Sequence, residues 1–541
     1  MRLVSLLGLF VILGLAWLLS FKRTAVRPRP IIWGMLIQFI FALIIFRKDD
    51  FSFLGMAAFS LLCINFVNRD PAGNPKKLQE IAILSVAGLG IAVIAFFLMD
   101  FIPQFGWIWL LALVALVAIQ YFKKSETLMK RGAVALIMTG LAYLIHHKLY
   151  GSVLFDSLSV RVTNFLALAD FGSQFMFGNL ADNQYFFTQD NPYFVGYGFQ
   201  FAFKVLPTII FFGGFMSVMY YLGIMQKVIE TMSRFMRWTT GTSGAESLSC
   251  SANVFVGQTE APLLIKPFLE KMTESELLTV MVGGFATIAG GVLAGYVNMG
   301  VDAGHLIAAS VMSAPAALVI GKIIYPETEH PVTAGDVPLP KINVGSNVLE
   351  AASNGITDGL KLALNVGAML IGFIALIAFA DVVLNWMDGW IDGRLWGGVK
   401  YDYAITGSSP VTQEYAGFFP GSLQTFFGNV LRPLAWLMGV PWEDADKVGN
   451  LLGVKLSLNE FVAFSSLGTY INDGVMGTRA GIISTYALCG FANFSSIGIQ
   501  LGGIAALAPE RRADLAKVAL RAMFGGALAS WTTATLAGIL I

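Results

Sequence analysis

The stretch Asn253-Val-Phe-Val-Gly-Gln258-Thr259-Glu260-Ala-Pro262 sets an amide, a hydroxyl and a carboxylate side by side between apolar runs. It is followed by a helical pattern interrupted at Gly283-Gly284-Phe285-Ala286-Thr287-Ile288-Ala289-Gly290-Gly291. An acidic side chain at a bilayer centre costs roughly 2.5–3.5 kcal/mol on insertion scales, so one retained there faces a cavity and handles an ion or a polar substrate. Glu260 is therefore the first residue to explain.

That reading requires a membrane, and the composition supplies one. Of 541 residues, 56% are hydrophobic and only 13% charged, against roughly a quarter charged in soluble proteins. Apolar windows of spanning length recur along the chain and predict an all-α polytopic membrane protein, not a barrel of short alternating strands. A net charge of +1 gives no basic field for nucleic acid, and the charges that exist report topology. Cys63, Cys250 and Cys489 are isolated in apolar segments, which suits small packing residues and neither a disulfide framework nor a zinc site. The first apolar segment lacks a cleavage pattern and reads as a retained helix.

Spans are expected near residues 3–20, 31–46, 51–67, 80–98, 105–122 and 132–145. Lys22, Arg23, Arg27, Arg29, Arg69, Lys76, Lys77, Lys123, Lys124, Lys130 and Arg131 fall on one side, cytoplasmic by the positive-inside rule. Both termini are then expected outside the cytoplasm. Residues 156–177 read as an interfacial amphipathic helix and 179–198 as an external loop. A span over 204–225 returns to the basic segment of Lys227, Arg234 and Arg237. Residues 247–269 are too short and too polar to cross and form a re-entrant hairpin, tolerated only where protein or water lines it. Spans at 276–298 and 303–324, a cytoplasmic loop at 325–341, an amphipathic approach at 347–360, a span at 361–386 and an external region at 388–447 follow.

The opening pattern then recurs. Leu458-Asn459-Glu460-Phe461 precedes Gly490-Phe491-Ala492-Asn493-Phe494-Ser495-Ser496, as Glu260 precedes Gly284-Phe285-Ala286-Thr287, by about twenty-five to thirty residues in each copy. Arg511, Arg512, Lys517 and Arg521 require the second copy to run opposite to the first, and a last span lies near 515–541. The fold class is thus an inverted-repeat transporter with two re-entrant hairpins, two interrupted helices and about twelve spanning helices. Half-helix ends leave amides and carbonyls free to coordinate an ion or a polar substrate.

Gly257-Gln258-Thr259-Glu260-Ala261-Pro262-Leu263-Leu264, the Gly-Phe-Ala-Thr helix, Asn459-Glu460-Phe461 and Gly490-Phe491-Ala492-Asn493-Phe494-Ser495-Ser496 closely resemble the concentrative nucleoside transporter family. The likeness extends over residues 1–46 and 155–541, including Lys204-Val-Leu-Pro207, Gly241-Thr-Ser-Gly-Ala-Glu246 and Ala508-Pro-Glu-Arg-Arg512. The resemblance implies a symporter that imports nucleosides with sodium by alternating access, as a homotrimer in the plasma (inner) membrane, with protons as the alternative coupling ion. It implies that Gln258, Thr259 and Glu260 contact the nucleobase with Val292 packed against it. Glu460, Asn493 and Ser496 would hold the ribose, and Phe491 would lie beside sugar and base. The sodium site would take the side chains of Asn253 and Thr287 and the carbonyls of Val256 and Ile288. The family would place Ser at Thr287; Thr keeps the hydroxyl and adds a methyl. The corresponding divisions are 1–46 (scaffold), 47–154 (an inserted block of four helices without counterpart in bacterial members), 155–240 (interfacial helix and scaffold span), 241–345 (first transport repeat), 346–447 (amphipathic helix, scaffold span and external region) and 448–541 (second transport repeat and last span).

Other readings of the same residues are distinct in chemistry. A membrane-embedded hydrolase could use Glu260 and Glu460 as an acid/base pair, but no nucleophile–His constellation accompanies them. A channel would need a continuous pore of polar rings. Glu246 and Glu350 read as acids at the membrane interface that only set topology, and His146, His147, His305 and His330 as interfacial residues. The glycines around 283–291 are expected both to pack helices closely and to permit the break.

Overall fold

The computed structural model describes residues 1–69, 78–102, 104–121, 126–182, 185, 200–335, 337, 344–391 and 419–541, and the regular structure among them is helical. Lys76, Lys77, Lys123, Lys124, most of the loop expected at 179–198, and residues 338–341 and 392–418 of the expected loops lie outside the described residues. The chain divides into two compact units, one of Leu36–Leu158 with Leu540, the other of Met1–Met35, Ser159–Ile539 and Ile541.

The helices begin with α1 (Arg2–Leu18), α2 (Pro28–Phe46), α3 (Asp50–Val67), α4 (Leu78–Leu98), α5 (Phe105–Tyr121) and α6 (Glu126–His146). In the Leu36–Leu158 unit, Met56, Ile64, Ala95, Met138 and Leu141 form a dry core. Asn65 Nδ2 donates to the Leu61 carbonyl at 2.9 Å and to the Ser85 hydroxyl at 3.2 Å. His146 sits at the end of α6 with its Nε2 3.0 Å from Asp100.

The other unit continues with α7 (Gly151–Leu166, entering from the first), α8 (Ala169–Phe177), α9 (Phe201–Tyr221) and α10 (Ile224–Thr240). Ile224–Thr240 was legible only as a basic segment; it folds as an amphipathic helix burying Met225, Ile229 and Met236. Next come α11 (Gly244–Ala252), a 3₁₀ segment at Ala261–Lys271, α12 (Glu274–Ala286), α13 (Gly290–Asn298), α14 (Ala303–Ile324) and α15 (Val348–Trp390). The last six are α16 (Leu423–Leu437), α17 (Ala445–Ser457), α18 (Glu460–Asn472), α19 (Thr478–Leu488), α20 (Phe494–Leu507) and α21 (Arg512–Leu540).

Nine helical segments among the described residues are long and apolar enough to cross a membrane, and Arg2–Leu18, Phe105–Leu116 and Phe494–Leu507 are shorter apolar helices. Gly151–Leu180, which contains the stretch 156–177 expected to lie at the interface, is one of the nine by length and composition. One expectation is corrected. The amphipathic approach and the span after it are a single 43-residue helix, α15. No proline interrupts it, and Gly355 and Gly359 let it close on α9: a Cβ at Gly355 would lie 2.5 Å from the Gly213 carbonyl oxygen, and one at Gly359 2.9 Å from the Ile210 Cα. The region 388–447, expected to be external and partly ordered, contains α16 among its described residues, packed on α17 so closely that a Cβ at Gly449 would lie 2.7 Å from the Gly428 carbonyl oxygen.

Both sequence copies are helical hairpins followed by broken helices. Capping boxes start the first hairpin and the first broken helix: Ser243 with Glu246 at α11, and Thr273 with Glu276 at α12. Between α12 and α13 the backbone is extended, with Thr287 at φ −110° and Ala289 at φ −70°. None of the glycines flanking this break has a positive φ, so they act through close approach: a Cβ at Gly290 would lie 3.0 Å from the Phe255 carbonyl oxygen.

At the second break, Gly490 has φ +100°, and a Cβ there would lie 2.4 Å from the Phe285 carbonyl oxygen and 2.6 Å from that of Ala286. The two breaks touch at this point. Only glycine meets both demands. Gly490→Ala should therefore destabilise the purified protein by at least about 2 kcal/mol in thermal unfolding. Gly498→Ala, where an added Cβ meets nothing within 4 Å, should be neutral or slightly stabilising; equal effects at the two positions would contradict this packing.

Candidate functional site

The second hairpin turns at Leu458–Asn459. Asn459 caps α18 by accepting Val462 N–H at 2.9 Å, which places Glu460 in the first helical turn. Glu460 is buried. Its Oε2 accepts the Asn493 amide at 2.9 Å and its Oε1 the Tyr296 hydroxyl at 3.3 Å. Tyr296, on α13, is itself fixed by stacking on Phe464 with centroids 4.2 Å apart. Asn493 caps α20, its Oδ1 taking the Ser496 N–H and the Ser495 hydroxyl, each at 2.8 Å. Its oxygen is thereby spent, and its NH₂ group is left to orient Glu460.

The network crosses to the first repeat at Ser496, whose hydroxyl oxygen accepts from Gln258 Nε2 at 3.2 Å. Gln258 belongs to the Asn253–Glu260 turn of the first hairpin. In that turn Glu260 is exposed and accepts its own loop's Gly257 N–H at 2.9 Å, and Thr259 packs its methyl toward Gly503 of α20. Val292 is buried on α13, and Phe491 is half-buried within the second break. Gln258, Glu460, Asn493 and Ser496 are thus joined in one hydrogen-bonded array through which both hairpins and the second broken helix meet.

The candidate cation ligands lie where the first hairpin meets the first break. Gly290 N–H donates to the Phe255 carbonyl at 3.2 Å. Asn253 is only 1% exposed, and neither its Oδ1 nor its Nδ2 has a protein partner. Its Nδ2 would be 3.5 Å from a Cβ on Gly283, whose carbonyl accepts the buried Thr287 hydroxyl at 2.8 Å. Thr287 has committed its proton, so its oxygen offers lone pairs outward. An unpaired amide oxygen and a lone-pair-presenting hydroxyl are the donors a hard cation takes. Val256 and Ile288 sit at the turn and the break respectively, half-buried and buried.

Several polar residues of the region were not legible. Lys455, 1% exposed on α17, donates to the Ala487 carbonyl at 3.1 Å and the Cys489 carbonyl at 2.9 Å. It places a fixed ammonium at the C-terminal end of α19, where the helix dipole and unpaired carbonyls call for one. Ser530 of α21 donates to the same Cys489 carbonyl at 2.5 Å. A lysine five residues before Glu460 in an otherwise apolar run was the available signal. Tyr296 had a weaker one, a buried phenol needing a partner. Glu246 is corrected: it is buried, caps α11, and pairs with Lys322 at 2.6 Å, away from the water it was expected to border. Glu350 is exposed, its carboxyl held below the usual range by hydrogen bonds from the Ser346 hydroxyl and backbone N–H.

Inverted hairpins and paired helix breaks of this geometry define a membrane transporter fold, and comparison with known proteins agrees. Residues 7–63 match the description "Na+ dependent nucleoside transporter N-terminus", 202–302 "Nucleoside recognition" and 305–538 "Na+ dependent nucleoside transporter C-terminus". An uncharacterized transporter of Haemophilus influenzae is 42% identical over 76% of this chain and 90% of its own length. The sodium/nucleoside cotransporter 1 of Mus musculus is 43% identical over 72% of this chain, which spans 56% of that longer protein. The inward-facing, substrate-bound structure of CNTnw superposes with a TM-score of 0.70 at 32% identity, covering 100% of this chain and 98% of CNTnw. The chain belongs to the sodium-dependent nucleoside transporter family.

Removing the Lys455 ammonium strands the buried Ala487 carbonyl, at roughly 1–3 kcal/mol, and takes one of its two donors from the Cys489 carbonyl, at roughly 1 kcal/mol for the lost bond. Lys455→Met should lower unfolding stability by about 2–4 kcal/mol in detergent. A change below about 0.5 kcal/mol, the size of a surface substitution, would show that the ammonium does not hold the break.

Proposed function

We propose that the protein imports nucleosides with sodium as a secondary active symporter. The observation that carries this reading is the continuous array Gln258–Ser496–Asn493–Glu460–Tyr296, which joins both hairpins at the breaks. Each Glu460 oxygen already accepts one protein donor and keeps a lone pair for a ribose hydroxyl. Such charge-assisted hydrogen bonds suit a sugar diol. Gln258, Thr259 and Glu260 face the base, with Val292 packed against it and Phe491 beside sugar and base. Asn493 and Ser496 complete the ribose contacts.

Sodium binds at Asn253 and Thr287 with the carbonyls of Val256 and Ile288. The first-hairpin turn contains both Asn253 and Gln258–Glu260, so the cation orders the segment that meets the base. Sodium then raises nucleoside affinity, and nucleoside raises sodium affinity by the same factor. One charge moving down 100 mV supplies about 2.3 kcal/mol, roughly fifty-fold accumulation. Hairpins and broken helices form a transport domain moving against a scaffold by alternating access. The reading further includes a homotrimer in the plasma (inner) membrane with both termini outside the cytoplasm, and residues 47–154 as an inserted helical block.

Two measurements in proteoliposomes test the proposal. Glu460→Gln should weaken uridine uptake by roughly 10- to 100-fold in kcat/KM at unchanged incorporation, the effect of weakening charge-assisted hydrogen bonds. Asn253→Ala should raise the half-saturating sodium concentration about tenfold or more, whereas Thr287→Ser, which keeps the hydroxyl, should leave it nearly unchanged. Uptake that persists without sodium but collapses when the proton gradient is dissipated would make protons the coupling ion. Near-normal transport by Glu460→Gln and by Glu260→Ala would sink the site assignment.

A further inference from the structure

Gln500 is a fully buried amide on α20 that none of the expected site residues includes. Its Nε2 donates to Gln258 Oε1 at 3.0 Å and to the Met281 carbonyl at 3.2 Å. It occupies space that only a glycine leaves: a Cβ on Gly284 would lie 2.6 Å from Gln500 Nε2 and 3.0 Å from Gln258 Cβ.

These contacts have a direction. A carbonyl can only accept, so the Gln500 atom facing Met281 must be its nitrogen. That nitrogen's second contact must also be an acceptor, so the Gln258 atom facing Gln500 is its oxygen. The Gln258 nitrogen then points to Ser496, which accepts at 3.2 Å. A backbone carbonyl of α12 thus settles, through Gln500, which end of the Gln258 amide is turned to Ser496. Without Gln500, turning the Gln258 amide over exchanges its oxygen and nitrogen at little steric cost. Ser496 can serve either orientation, because a hydroxyl both donates and accepts.

We propose that Gln500 is a specificity-determining positioning residue: it locks the Gln258 amide with its NH₂ toward the nucleobase, favouring bases that present a carbonyl there over bases that present an amino group. The inference rests on the reading of Gln258 as a base contact. The site then separates 4-oxo from 4-amino pyrimidines and 6-oxo from 6-amino purines by one hydrogen bond made or lost. A net hydrogen bond corresponds to about fivefold in affinity.

The test is competition by uridine, cytidine, inosine and adenosine against labelled uridine uptake in proteoliposomes, for wild type, Gln500→Met and Gln258→Met. Gln500→Met keeps length and apolar volume but frees the Gln258 amide. The amino-to-oxo ratio of inhibition constants should fall about fivefold for cytidine over uridine or for adenosine over inosine, with maximal uptake retained. A parallel rise in all four constants at an unchanged ratio would mean that Gln500 only packs, and would overturn the proposal. Should Gln500→Met fail to incorporate, Gln500→Asn, which keeps the amide but is one methylene too short to bridge Met281 and Gln258, carries the same expectation and the same refutation. Gln258→Met separates the two levels. If it shifts nucleoside affinity while the Gln500 variants leave the ratio alone, the orienting role is wrong and the base contact stands. If Gln258→Met also leaves every constant unchanged, the base contact is wrong and this inference falls with it.

Discussion

Backbone amides and carbonyls freed by a broken helix must find partners where water is scarce, and this constraint organises the repeat-bearing part of the molecule. Two breaks are brought together at Gly490, whose missing side chain admits the carbonyls of Phe285 and Ala286. The Cys489 carbonyl is then served from two directions, by Ser530 and by Lys455. Asn493 closes the N-terminal end of α20. The polar residues of the candidate site are therefore, in large part, the same residues that make the breaks tolerable. Structure and site are not separable here: Asn493 can orient Glu460 because its oxygen is already committed to the helix.

The two repeats solve this problem differently. In the second, charge is built in: an ammonium at the end of α19 and a carboxylate at the start of α18. In the first, the equivalent corner holds neutral groups, a buried amide without a protein partner and a hydroxyl whose proton is used internally. An inverted repeat with a fixed ammonium on one side and neutral donor groups on the other has broken its own symmetry chemically while keeping it topologically. The hairpin turns follow suit, Leu458–Asn459 being short and buried while Asn253–Glu260 is longer and reaches an exposed carboxylate.

What could be read from the sequence was whatever violated the solvent. Glu460, Asn493 and the Gly-Phe-Ala motifs stand out because polar or flexible groups are conspicuous in apolar runs. Duplication of the pattern made the architecture legible before any coordinate. Gln500 did not stand out, since an amide in a Ser- and Gly-containing helix signals nothing until its partner across the repeat is known. Lys455 was overlooked because its carbonyl partners are more than thirty residues away and exist only at a break. Boundaries were misread where composition changes without a change in backbone. The polar beginning of α15 looked like a separate element because its glycine–backbone contacts with α9 leave no periodic trace.

The continuity of α15 has a mechanical meaning. Forty-three residues make a rod of about 65 Å, about twice the thickness of a bilayer's hydrocarbon core. Roughly twenty residues suffice to cross, so a comparable length, carrying Glu350, Asn354 and Asp358 near its start, is the rigid extension of the same rod. Gly355 and Gly359, where the rod bears on α9, lie near its start. With about 45 Å of rod between Gly359 and Trp390, a change of ten degrees in tilt about that contact displaces the far end by about 8 Å. Small angular adjustments of one half of this helix thus become ångström-scale displacements of the other, with no joint between them to absorb the movement.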